Sequence, residues 1–531
     1  YDEAYPELNL ASQDGQQINW SHTSRASAGY FGRINYDYKG IYLLEVNGRY
    51  DGSSRFPHND KWAFFPSASI GYRFSEEAYF APLKKVISNA KFRASYGEIG
   101  NEAIGNYMFE ELISQRENTS ATGYIYWVDG NGANANRLTQ YNMPKLVSKS
   151  LTWERIRTTD IGLDLGFLNN ELTVGFDWYQ RENRDMLAPA QVLPNSVGAT
   201  APYDNAGTLR TRGWELNLDW HHKFGEFNVY ANFNLSDSKT KVTKWNNDTK
   251  LLSSYFSGKT YGDIWGFETD RYFEESDFTG QNADGSWIYK SGVASQSALE
   301  RAPFHYGPGD IKFKDLDGSG AIDGGKGTAD DHGDLKVIGN SLPRYEYSFH
   351  LGWKGIDLDL FFQGVGKRSD WTIASLNFPM MRSADLAVYE HQSSYNRVFY
   401  SDDWKTITGY DINQGNTYPR LYPGNEAKGT VSGIANGSNN YYPQSRYLTD
   451  MSYLRLKNVT VGYTLPKEWT RKAFIEKARI YFSGSNLFLL YKGSDLPVDP
   501  EISTGDGLTS AGWGRTAPIT RTFSFGIQVT L

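Results

Sequence analysis

Between Tyr30 and Phe74 the chain writes side chains in strict alternation. Tyr30, Gly32, Ile34, Tyr36 and Tyr38 are separated by polar Arg33, Asn35 and Asp37. After a two-residue turn at Lys39-Gly40, Tyr42, Leu44, Val46, Gly48 and Tyr50 alternate with Glu45, Asn47, Arg49 and Asp51. A third run sets Trp62, Phe64, Ala68, Ile70, Tyr72 and Phe74 against Lys61, Ser67, Ser69 and Arg73. A period of two predicts β-strands, because successive side chains of a strand point to opposite faces. Each run holds its pattern for about ten residues, the length a tilted strand needs to cross a bilayer, whereas soluble strands average about five or six.

The same hairpin unit recurs along the chain. A fourth strand is expected at 91–97, after a connection with a helix-like piece around Leu83 to Ile87. Ile161, Leu163, Leu165 and Phe167 turn through Leu168-Asn169-Asn170 into Leu172, Val174, Phe176 and Trp178. Trp214, Leu216, Leu218 and Trp220 turn near Gly225 into Phe227, Val229, Ala231, Phe233 and Leu235. Tyr345 to Trp353 and Ile356 to Phe362 form a pair around Lys354-Gly355. A strand ending at Val459, Val461, Tyr463 and Leu465 slips parity near Leu456, which predicts a bulge. Ala478, Ile480 and Phe482, then Phe523, Phe525, Ile527, Val529 and Leu531, complete thirteen runs.

The connections alternate between short ones and long ones, the longest at about 99–151, 240–342 and 367–446, all read as polar loops. Short turns on one side and long loops on the other fit an outer-membrane barrel. Aromatic residues flank the short turns: Tyr38, Tyr42, Phe167, Trp220, Phe224, Phe227 and Trp353 stand where an interfacial girdle belongs. The expectation is therefore an all-β chain, a transmembrane antiparallel β-barrel forming one domain over 1–531. Because closed single-chain barrels have an even number of strands, an odd number is expected to precede Tyr1. A soluble multi-sheet protein also alternates, but it would expose these aromatic stripes to water.

Composition sharpens the picture. Aromatic residues make up 15% of 531 residues, yet mean hydropathy is −0.57. No run approaches the roughly 18 apolar residues of a membrane helix, while a barrel with a polar lumen fits. A net charge of −7 without a basic patch argues against nucleic acid as a partner. The chain has no cysteine, which removes disulfides, thiolate metal sites and cysteine nucleophiles.

Eight segments stand out along the chain: Tyr30 to Tyr38 (YFGRINYDY), Arg49 to Phe56 (RYDGSSRF), Phe65-Pro66-Ser67, Arg93 to Asn101 (RASYGEIGN), Gly309 to Asp315 (GDIKFKD), Phe362-Gln363-Gly364, Leu454 to Val459 (LRLKNV) and Ser485 to Phe488 (SNLF). Together and in this order they resemble the SusC/RagA family of TonB-dependent outer-membrane transporters. The resemblance implies a barrel of 22 strands, of which this chain carries the last thirteen, and a plug that this sequence lacks. It also implies a SusD-like surface lipoprotein as lid, TonB as the energy source acting through the missing N-terminal region, and oligosaccharide or oligopeptide as cargo in the outer membrane of a bacterium. Energised import with no enzymatic activity is the expected function; a passive porin or a surface glycan-binding protein or hydrolase are the alternatives.

One local motif carries metal chemistry. Asp315, Asp317, Ser319, the Ala321 carbonyl and Asp323 follow the spacing of the first nine positions of a calcium loop, with Gly320 at the turn, and could offer about five hard oxygen ligands to Ca²⁺. Position twelve is Lys326, so Asp330, Asp331 or Asp334 would have to supply the last carboxylate. Aromatic residues in the long loops, chiefly Tyr126, Trp127, Trp265, Trp371 and Trp513, are candidates for stacking on sugar rings. Tyr124, Tyr255, Tyr441 and Tyr442 join them. Paired acids such as Asp357 and Asp359 alternate into the lumen and read as pore lining.

Overall fold

The computed structural model describes residues 23–111, 115–117, 139–141, 146–189, 202–225, 227–301, 304–354, 357–371, 419, 439–496, 498–501 and 519–531. Thirteen strands form one antiparallel sheet in which sequence neighbours are spatial neighbours. They are β1 (Ser27–Tyr38), β2 (Tyr42–Ser53), β3 (Trp62–Tyr72), β4 (Ile87–Asn101), β5 (Glu154–Phe167), β6 (Leu172–Pro189) and β7 (Tyr203–Phe224). The sheet continues with β8 (Phe227–Lys244), β9 (Arg344–Lys354), β10 (Asp357–Lys367), β11 (Tyr453–Thr464), β12 (Lys477–Lys492) and β13 (Thr522–Thr530). β1 and β13 are its edges, so the sheet is an open wall. Among the described residues no helix is long and apolar enough to cross a membrane.

Local chemistry sets the turns. Lys39 and Gly40 have φ of 58° and 68°, the two positive values a tight two-residue hairpin requires. Leu168, Asn169 and Asn170 reach 53°, 57° and 65°; the two asparagines suit this region because their short polar side chains tolerate it. The parity slip near Leu456 is a bulge: Phe361 pairs with Asn458 and Phe362 with Leu456, so Lys457 has no opposite residue. The helix-like piece lies earlier than its sequence suggested, as 3-10 turns at Phe74–Glu76 and Ala78–Leu83, and Ile87 already opens β4.

Strands extend well past the apolar bands. β7 runs for 22 residues and β6 and β8 for 18 each. Above the bilayer both faces of a strand meet water, so the period-two signal fades there although the hydrogen-bond ladder continues. On the wall's outer face Tyr30, Ile34, Phe176, Trp178, Leu351, Trp353, Phe525 and Ile527 stay exposed. So much contiguous apolar surface suits lipid and would aggregate in water. Rings beside the short turns touch their neighbours, with Tyr38 and Tyr42 centroids 6.4 Å apart and Phe227 and Trp353 5.3 Å apart.

The connection between β8 and β9, expected to be a polar loop, is a folded module with its own core. Its paired segments are Asp263–Phe267 with Leu335–Asn340, Thr269–Tyr272 with Ile311–Phe313, and Phe278–Gln281 with Trp287–Tyr289. Phe273, Tyr306 and Ile311 are fully buried, packed with Tyr272, Phe304, Phe313 and Ile322. Burying each such ring contributes roughly 2 kcal/mol. Residues 440–447 of the next long connection dock onto it: the Phe267 amide donates to the Pro443 carbonyl at 2.8 Å and the Ser445 amide to the Phe267 carbonyl at 3.1 Å. A smaller cluster of Phe56, Ala63, Phe65, Ile104 and Trp153 seals the same end of β2 to β5.

Candidate functional site

The wall's inner face is the first part of the site. Register places Arg93 beside Gly162, Gly162 beside Asp177 and Asp177 beside Glu215 on one face, opposite the apolar face. Arg93 holds Asp164 with two hydrogen bonds of 2.8 Å and reaches Asp177 at 3.0 Å. Gly162 makes room for this: a Cβ there would lie 2.7 Å from the Arg93 guanidinium carbon and 2.3 Å from an Asp177 oxygen. Toward the short turns, Asp359 accepts from the Tyr230 hydroxyl and pairs with His350 Nε2 at 2.7 Å. The Tyr230 ring occupies the space beside Gly352 that any side chain there would need. These groups make a polar face on which Arg93 pairs with Asp164 and Asp177, and Asp359 with Tyr230 and His350. Alternation placed these residues inward; their partnerships across strands carried no sequence signal.

The folded module is the second part, held by a buried polar network. Asp310 accepts from the Gly307 amide at 2.9 Å and from Asn440 Nδ2 at 2.8 Å, while Asn440 Oδ1 receives the Ile311 amide at 2.9 Å. Gln296 donates to the Ile311 carbonyl at 3.0 Å and accepts from the Phe313 amide at 2.5 Å. Asp277 takes two bonds of 2.7 Å from Arg271 and one of 3.0 Å from Lys312. Burial opposes its charge, but Arg271, the Glu274 amide and Lys312 together bring its carboxyl down to about 2. Glu268, hydrogen-bonded first by Lys314 and then by Lys336, also lies at about 2.

Within this module the acidic loop brings Asp315 and Asp317 together with Asp334, one of the three residues expected to supply the last carboxylate. Single oxygens of Asp315, Asp317 and Asp334 lie within 4.8 Å of one another. Asp323 is outside this group and accepts the Gly325 amide at 2.7 Å, and the Ser319 hydroxyl donates to the Ala321 carbonyl at 2.8 Å. Of the three candidates for the last carboxylate, Asp330 pairs with Lys250 and Asp331 with Lys326, leaving fully buried Asp334 facing the loop. Asp334 also accepts the Leu316 amide at 2.6 Å and the Asp323 amide at 3.0 Å, so it stitches the loop shut. The Ser319 amide, 2.9 Å away, helps hold the Asp317 carboxyl below the usual range. Three carboxylates on hard oxygen suit a divalent cation of the calcium type.

The predicted aromatic platforms divide. Trp371 is 1% exposed and packs against Tyr441 at 5.3 Å, so it belongs to the module's core and offers no free face. Trp265 is half-buried, its ring 5.4 Å from that of His332. Tyr255 stacks on Tyr261 at 5.3 Å and Tyr442 leans on Phe267. Tyr124, Tyr126, Trp127 and Trp513 lie outside the described residues. Where the module meets β8, β9 and β10 there is a cavity of about 260 Å³ lined by Thr240, Tyr261, Asp263, Asn340, Arg344 and Lys367. That is near the small end of ligand sites, enough for one unit of a longer polar molecule.

An open antiparallel wall, apolar outside and polar inside, with short turns at one end and a folded module at the other, defines a transmembrane β-barrel protein of the outer membrane. The family described as TonB dependent receptor-like, beta-barrel matches residues 1–487, and the chain belongs to it, within its SusC/RagA type. It is 29% identical over 526 residues to TonB-dependent receptor P3 of Formosa agariphila, covering 94% of this chain and 45% of that protein. It is 25% identical over 494 residues to TonB-dependent receptor SusC of Bacteroides thetaiotaomicron, covering 91% and 42%. The fold is shared with the RagAB peptide importer in its closed-closed state, at a TM-score of 0.66 and 20% identity over 99% of this chain and 50% of that one. The chain thus spans about half the length of the relatives it matches.

Proposed function

We propose that this chain is the wall and extracellular module of an energised importer of polar oligomers, oligosaccharides or oligopeptides, that works with TonB and a SusD-like lipoprotein lid. The carrying observation is the polar inner face, which holds Arg93 and Asp164 and, nearer the short turns, Tyr230 and Asp359, with a folded module at its other end. The mouth-side cavity and half-buried Trp265 are where cargo would first be held. The peptide class is the one named for the RagAB importer, and the oligosaccharide class is what the resemblance to the SusC/RagA family implies. The pairing of Asp164 with Arg93 and of Asp359 with His350 supports a conduit over a hydrolase. Calcium at Asp315, Asp317 and Asp334 would stiffen the module.

The test is uptake by cells carrying the full-length protein, offered fluorescent oligosaccharides and oligopeptides with and without TonB. TonB-dependent accumulation of one class, lost together with the co-purifying lipoprotein, supports the reading. Accumulation that ignores TonB makes the protein a porin, and hydrolysis of cargo at the surface makes it an enzyme.

A further inference from the structure

The outer face of the wall changes character within one step. Reading across the register, Ala94, Ile161, Trp178 and Trp214 form an apolar row over four strands, which Asp237, paired with Arg344, ends on β8. Two residues further from the short turns, about 7 Å along each strand, the row reads Tyr96, Thr159, Gln180, Arg212 and Lys239. The next reads Glu98, Arg157, Glu182, Arg210 and Lys241, and above it stand Arg155 and Arg184. Seven cations thus share these three upper levels with two carboxylates, immediately above the lipid-facing band on the extracellular side.

Their packing leaves positive charge in reserve. Glu98, with a side chain 6% exposed, is covered by Arg157 at 2.7 Å and Arg155 at 3.1 Å; Glu182, 8% exposed, is covered by Arg184 and by Arg210 at 2.6 Å. Each carboxylate therefore sits beneath two guanidinium groups whose side chains remain 32–40% exposed. Arg212, held to Gln180 at 2.8 Å, and Lys239 and Lys241 are exposed with no carboxylate in these rows to neutralise them. At the other end of the same strands the outer face carries Phe167, Leu172, Trp220 and Phe227 and no such stripe.

We infer that this stripe is a docking surface for the phosphorylated headgroups of the outer-leaflet lipid. Continuity with the apolar band puts it at headgroup depth, and forked guanidinium groups match phosphate in shape and charge. Fixed lipid there would hold β4 to β8 at a set height and brace the folded module that rises from β8.

The experiment uses the full-length protein in detergent, titrated with a bis-phosphorylated glucosamine lipid or its dephosphorylated form and read by native mass spectrometry. The variant is Arg212→Gln/Lys241→Gln, with Lys239 left intact because it also borders the rim cavity. Lys85→Gln/Lys472→Gln, exposed at the opposite end, is the control. The phosphorylated lipid should bind the natural protein and the control alike and the stripe variant about tenfold more weakly, while the dephosphorylated lipid binds poorly to all. Raising salt on the natural protein should weaken binding in the same way, which keeps the test open if the variant fails to assemble. Equal binding by both variants, indifference to phosphate, or a change in subunit number with lipid binding unchanged would overturn the inference.

Discussion

The wall and the folded module use the same residues in opposite senses. In the wall, Tyr, Trp and Phe point outward and stay exposed, as at Trp178 and Phe525, because their solvent is lipid. In the module they point inward, as at Phe273 and Tyr306, because its solvent is water. Polar groups follow suit: Arg93 and Asp164 line a hydrated face, whereas Asp310, Asn440 and Gln296 are buried and fully bonded in a small core. Hydrogen-bond ladders hold the wall, and packing with a polar network holds the module. Damage to one region should therefore spare the other.

The largest effect is expected from Phe273→Ala, which empties a fully buried site between Phe278, Tyr289 and Tyr306. It should cost the module about 3–5 kcal/mol, seen as proteolysis within 263–340, while heat-modifiable gel mobility of the barrel stays normal. Leu218→Arg should do the reverse. A cation at the middle of the lipid face costs about 2–4 kcal/mol and lowers the assembled fraction, whereas Asn217→Arg, one residue away on the inner face, should assemble normally. A wall that tolerated both equally would erase the distinction between faces.

Acid should divide the regions next. Asp277 has a folded pKa of about 2, below the roughly 3.9 of an unfolded aspartate. Its contribution is thus complete above about pH 4 and is lost as pH falls from there toward 2. Hydrogen exchange in 271–313 should rise over that window, and Asp277→Asn should be loosened by about 2 kcal/mol at neutral pH and respond less to acid. The smallest effect concerns calcium. Millimolar Ca²⁺ should slow exchange in 315–334 of the natural protein and do so less in Asp317→Asn, whose exposed carboxylate can be removed without breaking the fold.

Most of the wall was legible in the sequence, for a physical reason. A membrane strand buries nothing behind another layer, so its two solvents write directly into alternate residues, and even the bulge beside Leu456 left a parity slip. The signal stopped where both faces meet water, which is why β6 to β8 exceed their predicted lengths. The module was illegible because its strands are three to six residues long and its core residues are far apart, Phe267 meeting Pro443 and Asp310 meeting Asn440. Trp371 illustrates the cost: residue type alone suggested a sugar platform, and only the fold shows its ring inside a core. Asp334 shows the converse, a residue within reach of the acidic motif whose central place depends on how the loop closes.

The most direct test is a cysteine scan of Trp214 to Trp220, in a stretch of chain that has no native cysteine of its own. Each site in the full-length protein would carry a nitroxide in bilayers, and its collision rate with oxygen and with a water-soluble nickel chelate would be measured. Oxygen should dominate at 214, 216, 218 and 220 and nickel at 215, 217 and 219. Loss of that alternation, or its inversion, would contradict the assignment of this wall to a membrane with a hydrated inner face.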